Sequence, residues 1–140
     1  MSKEKFDFID PLFLGPFGEN SAIFEKLFLQ FFRDHTYWRR NFHPKDKSPV
    51  STSSHLNIDY QQFISKLDHE MQSFCSDLKQ STPLFSPRYL GHMASDVLLP
   101  GLLAQMITTL YNPNNVCKDV SPVTLQKEIE VGFQLAELFG

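Results

Sequence analysis

Apolar residues along this chain recur at intervals of three and four, the spacing that lines one face of an α-helix. No stretch carries a strand period. The clearest helix is predicted over 57–78. There Phe63, Ile64, Leu67, Met71, Phe74, Cys75 and Leu78 keep helical spacing, while Lys66, Asp68, Glu70 and Lys79 fall elsewhere. Asn57 or Asp59 supplies its N-cap. An earlier helix is predicted from Asn20 or Ser21 to about Trp38, with Glu25 near the positive end of its dipole. Its apolar set is Ile23, Phe24, Leu27, Phe28, Leu29, Phe31 and Phe32. That stripe is wider than one small core requires, so this helix calls for partners on more than one side.

Two more helices follow. Leu98–Tyr111 is apolar nearly all round, with Pro100 tolerable in its first turn, and is expected to be buried against other protein. Ser121-Pro122 reads as an N-cap with proline at the first helical position; Leu125, Ile129, Phe133, Ala136 and Phe139 continue that helix. Between helices lie loops. The stretch 43–56 holds Pro44, Pro49, four serines and a threonine. Residues 81–94 are broken by Pro83, Pro87 and Gly91, and Asn112-Pro113-Asn114-Asn115 forms a further break. The organisation is an N-terminal arm and first helix (1–42), a loop (43–56) and a helical segment (57–140). There is no internal repeat.

Composition narrows the class. With 140 residues, 41% hydrophobic, 14% aromatic and a net charge of −3, the chain is globular and not disordered. Thirteen basic against sixteen acidic residues give no field to steer nucleic acid. The N-terminus has no uninterrupted signal-peptide core, and no apolar run approaches the roughly 20 residues of a membrane helix. Cys75 and Cys117 do not make a disulfide framework, which points to a reduced, cytoplasmic setting. Cys75 is expected to be inert packing on an apolar face and Cys117 to be accessible. Fourteen Phe residues are many for so short a chain to hide, and the sequence stops one residue after Phe139. The expectation is a piece of something longer.

Candidate chemistry is sparse. The five histidines lie scattered, none at metal-ligand spacing, and are expected to be solvated. There is no nucleophile elbow, Gly-x-Gly-x-x-Gly or Walker loop. The basic group Arg33, Arg39, Arg40, Lys45 and Lys47 is interrupted by Asp34 and Asp46, as a solvated helix end would be. The irregular run Ser86-Pro-Arg-Tyr-Leu-Gly-His-Met-Ala-Ser95 is richer. It sets aromatic, imidazole and hydroxyl groups on a proline- and glycine-shaped backbone, where binding groups are commonly placed.

From here the sequence resembles a known family. The run SPRYLGHMASDVLLPGLLAQMITTLYNPNNV, followed by SPVTLQKEIEVG, is similar to the N-terminal region of group II pyridoxal-phosphate-dependent amino-acid decarboxylases. The likeness covers 85–140; residues 20–42 resemble the first helix of the bacterial tyrosine-decarboxylase-like members. The resemblance implies an all-α N-terminal segment of an enzyme whose α/β large domain is missing here. It implies a homodimer in which these helices wrap the partner subunit, an amino-acid substrate, and pyridoxal 5'-phosphate as cofactor.

On the same resemblance, His92, Met93 and Ser95 in the loop 86–97 line the substrate side of the active site. Ser95 stands where many relatives carry a Thr, so the hydroxyl is kept and the methyl lost. Asn114, Asn115 and Val116 in the loop 112–120 reach the neighbouring subunit's site. No residue here is catalytic, and none holds a metal or the cofactor. The family's Schiff-base lysine directly follows a histidine, whereas the five histidines here precede Thr36, Pro44, Leu56, Glu70 and Met93. The 140 residues alone are therefore expected to be inactive. The competing reading is a stand-alone helical interaction module, from a truncated gene, that binds a partner through its phenylalanine stripes.

Overall fold

A computed structural model describes residues 9–91 and 95–140. Among these the chain is all-helical: α1 (Ser21–Phe42), α2 (Ile58–Leu78), α3 (Leu99–Tyr111) and α4 (Pro122–Phe139), with single 3-10 turns at Asp10–Leu12 and Ser54–Leu56. Strand-like pairing within the described residues is confined to one antiparallel bridge between Phe13 and Leu98.

Helix α1 runs a full turn beyond Trp38. Arg39 and Arg40 sit in the last turn, where cations suit the helix dipole, and Phe42 extends the aromatic stripe by packing on Trp38 at 5.3 Å. Pro44 sets the limit, because the residue before a proline is pushed out of the helical region; His43 accordingly has φ −134° and ψ 75°. At the other end Asn20 occupies the N-cap position without capping. Its side-chain amide turns back instead, donating to the carbonyls of Pro11 (3.2 Å) and Phe13 (2.7 Å). Glu25 lies past the first turn, too far in for the predicted dipole contact.

The arm before α1 is fastened to the entrance of α3. Gly15 (φ +91°) and Gly18 (φ +71°) take left-handed conformations that reverse the chain. The Gly15 N–H donates to Asp96 Oδ2 at 2.8 Å, and the other oxygen of that carboxylate accepts from the Val97 N–H at 2.8 Å. Helix α3 then packs along α1. Their shared core is small, with Leu99, Leu103 and His35 buried. The edge of the His35 ring meets Tyr111 at 4.4 Å between centroids, and Trp38 lies 5.4 Å from Tyr111. Of α3, expected to be buried against other protein, Leu99 and Leu103 are buried here: α1 covers one side and nothing in the described chain covers the other. Asn112 ends α3 with φ 48°, and its N–H returns to the Thr108 carbonyl at 2.9 Å.

Helix α2 is capped by Asn57, whose Oδ1 accepts from the N–H groups of Asp59 (2.8 Å) and Tyr60 (3.2 Å). Its main contact is the 3-10 turn directly before it. The predicted apolar stripe is present but uncovered, with Phe63 59% and Phe74 55% exposed. Cys75 is exposed with it, contrary to the expectation of inert packing, since no described element lies over that face. Helix α4 also leaves Ile129, Phe133 and Leu138 exposed.

Candidate functional site

The loop leading into α3 and the loop leaving it carry the residues singled out from sequence. His92 and Met93 lie outside the described residues. Ser95 is exposed, its hydroxyl 3.3 Å from the Asp96 carbonyl to which it donates. It lines a cleft of about 650 Å3 with Asp10, Pro11, Glu19, Asn20 and Phe85. The cleft exists because Asp96 binds the arm at Gly15 and so draws the arm alongside Ser95.

Asn114 lines a second cleft, of about 560 Å3, between the C-terminal half of α3 and the start of α4. Trp38, Tyr111, Ser121 and Thr124 also face it. The two clefts share no lining residue, so Ser95 and Asn114 do not converge within the described chain. The second loop is shaped by hydrogen bonds. The Asn114 N–H donates to Ser121 Oγ at 2.9 Å, and Asn114 Oδ1 accepts from the Val116 N–H at 3.1 Å. Ser121 therefore stands at the N-cap of α4, as predicted, but its buried hydroxyl serves the loop and not the helix. Pro122 at the first helical position already lacks an N–H, which leaves one donor fewer to cap. Val116, at the loop tip, is 85% exposed.

The expectation of solvated histidines fails at His35. This side chain is 4% exposed, and its Nδ1 is buried without a hydrogen-bond partner among the described residues. Its position was readable: 35 continues the series 24, 28, 31, 38, 42 at steps of three and four, which places it on the stripe facing α3. Asp96, the arm's anchor, is the other residue that sequence reasoning missed. A single aspartate before an apolar run gives no sign of a partner 81 residues away.

Among the described residues no group of three or more His, Cys, Asp or Glu converges as a metal site would require. Every described lysine is exposed, and Lys127 is engaged with Glu130 at 2.7 Å. That ion pair, with help from Gln126, holds the Glu130 carboxyl below its usual range. A lysine that holds pyridoxal phosphate is enclosed with the ring, whose nitrogen meets an acidic group on the opposite side, and no described lysine is enclosed. The described residues do not fit the cofactor. No helix among them is long and apolar enough to cross a membrane.

No protein-family model matches the chain. Individual curated proteins do. It is 33% identical over 134 residues to the L-tyrosine decarboxylase of Enterococcus faecalis. It is 31% identical over 134 residues to that of Levilactobacillus brevis, and 35% identical over 137 residues to that of Enterococcus faecium. Each match takes in 94% of this chain, more than the stretches 20–42 and 85–140 in which the resemblance is legible in the sequence. The chain spans only 22%, 21% and 22% of these relatives, about one fifth of their length. In sequence it is a tyrosine-decarboxylase-like N-terminal segment.

Proposed function

We propose that this segment is the dimer-wrapping, pocket-lining part of a pyridoxal-phosphate-dependent decarboxylase that removes carbon dioxide from an aromatic amino acid, with tyrosine favoured. The observation that carries the reading is the match of 94% of the chain to three L-tyrosine decarboxylases. The uncovered faces of α2 and α4 support it, because helices with apolar stripes this exposed call for protein to cover them.

In this reading the cofactor and its lysine belong to chain outside these 140 residues, and the enzyme works as a cytoplasmic homodimer. The bound cofactor supplies the electron sink for loss of carbon dioxide. The residues of this segment select and orient the substrate. His92, Met93 and Ser95 form one wall, and the loop Asn114–Val116 closes the pocket of the neighbouring subunit. The separation of the two clefts in one chain accords with walls contributed by two subunits.

The test is kinetic. In the full-length enzyme His92→Ala and Ser95→Ala should each lower kcat/KM for tyrosine on the order of tenfold, with the cofactor's absorbance unchanged. Wild-type kinetics in both variants would remove the pocket assignment. The reading frame after the Gly140 codon supplies an independent check, since it should continue into alternating strands and helices containing a His-Lys pair.

A further inference from the structure

Within the loop Asn114–Val116 the Val116 N–H donates to Asn114 Oδ1, and the loop's other side-chain hydrogen bonds run to α4 and its N-cap. Asn115, at its centre, directs its side chain back onto α4. Its Oδ1 accepts from the Thr124 hydroxyl, and its Nδ2 donates to Glu128 Oε2 at 3.1 Å. Thr124 and Glu128 are four residues apart, one turn of α4, so they stand on the same face of the helix. Both ends of the amide are thus engaged, and the carboxylate fixes its orientation: the Thr124 hydroxyl can meet either end, but a reversed amide would set an oxygen against the acceptor-only Glu128. One turn earlier Ser121 Oγ accepts from the Asn114 N–H. The N-cap and the first two turns of α4 therefore hold two adjacent loop residues, while the side chain of the next, Val116, is exposed.

We infer that Asn115 is a strut and not a wall of the pocket, and that Thr124 and Glu128 are positioning residues through which α4 sets the loop for substrate. The inference rests on the proposed function above and redistributes roles within it. One N–H and one oxygen lone pair of the Asn115 amide are committed to α4, so the amide cannot swing toward a substrate without giving them up, and the exposed side chain of Val116 is the freer one to make the contact. Glu128 acts as a hydrogen-bond acceptor, so its charge is dispensable and its oxygen is not.

The experiment has two arms. Hydrogen exchange on the 140-residue chain needs no activity: Glu128→Ala and Thr124→Val should speed exchange of the Asn114 and Val116 amides about fivefold, the scale of one lost hydrogen bond, while Glu128→Gln and Thr124→Ser leave them near wild type. In the full-length enzyme, Glu128→Ala and Asn115→Ala should each raise KM for tyrosine about fivefold with kcat within twofold, and the double variant should be no worse than Asn115→Ala. Glu128→Gln should restore KM. Equal effects of Gln and Ala at 128, additive single variants, or unchanged exchange would overturn the strut. Val116→Ala separates the two claims. If it leaves KM unaltered, the loop does not meet substrate and the proposed function loses this wall. If it raises KM while Asn115, Thr124 and Glu128 variants are silent, the strut alone falls.

Discussion

His35 shows what a single side chain can carry in so small a core. The ring is almost fully buried and packs on Trp38 and Tyr111, yet its Nδ1 has no partner among the described residues. A buried polar atom left unpaired costs roughly 1–3 kcal/mol. Replacing the ring by an apolar one of similar shape removes that cost and keeps the edge-to-face packing. His35→Phe should therefore raise the stability of the isolated chain by about 1 kcal/mol in urea unfolding, whereas His35→Ala should lower it by about 2 kcal/mol through the cavity left behind. A destabilising Phe would mean that the nitrogen has a role the described contacts do not show. Asn20 and Ser121 make a related point. Both are of the type that caps helices, and both stand at N-cap positions, but each directs its polar group to a loop instead. Residue type and position were readable in the sequence. The partner was not, because it depends on where distant backbone carbonyl and amide groups come to rest.

At the scale of the element, periodicity carried nearly everything. All four helices lie where the three-four spacing puts them, and the end of α1 is misjudged by one turn because Pro44, not the last strong hydrophobe, sets it. What periodicity could not reveal is coverage: α1 and α2 show equally convincing stripes, but only α1 has α3 against it. Caps and glycines give direct tests. Asn57→Ala removes a side chain that satisfies two N–H groups and should cost about 1 kcal/mol, read as a lower urea midpoint. Gly132, inside α4, has open space where a Cβ would go. Gly132→Ala should stabilise the chain by about 0.5–1 kcal/mol, and a loss of stability would show that the space is occupied in solution. Acid acts on α4 through Glu130, whose carboxyl is held below its ordinary range by Lys127. The contribution is present above the ordinary carboxylate range and fades as pH falls through the lowered value. Circular dichroism should show a small loss of helix there, diminished by salt because the pair is exposed.

Among the described residues α1 pairs with α3, and α2 and α4 leave apolar faces exposed. Phe63, Phe74 and Phe133 are all more than half exposed. Fully burying a Phe contributes roughly 2 kcal/mol, so covering these stripes offers far more than the present core does. The isolated chain should accordingly self-associate, and sedimentation that shows a monomer at tens of micromolar would contradict this. The sequence already held this imbalance in its fourteen phenylalanines, and the match to about one fifth of three much longer decarboxylases gives it a reason.

The proposed decarboxylation is read from release of carbon dioxide from carboxyl-labelled L-tyrosine with pyridoxal phosphate added. The full-length enzyme should release it, and the 140 residues alone should release none above background. Full-length protein that takes up the cofactor but releases no carbon dioxide from tyrosine or another aromatic amino acid would contradict it, as would turnover by the 140-residue chain.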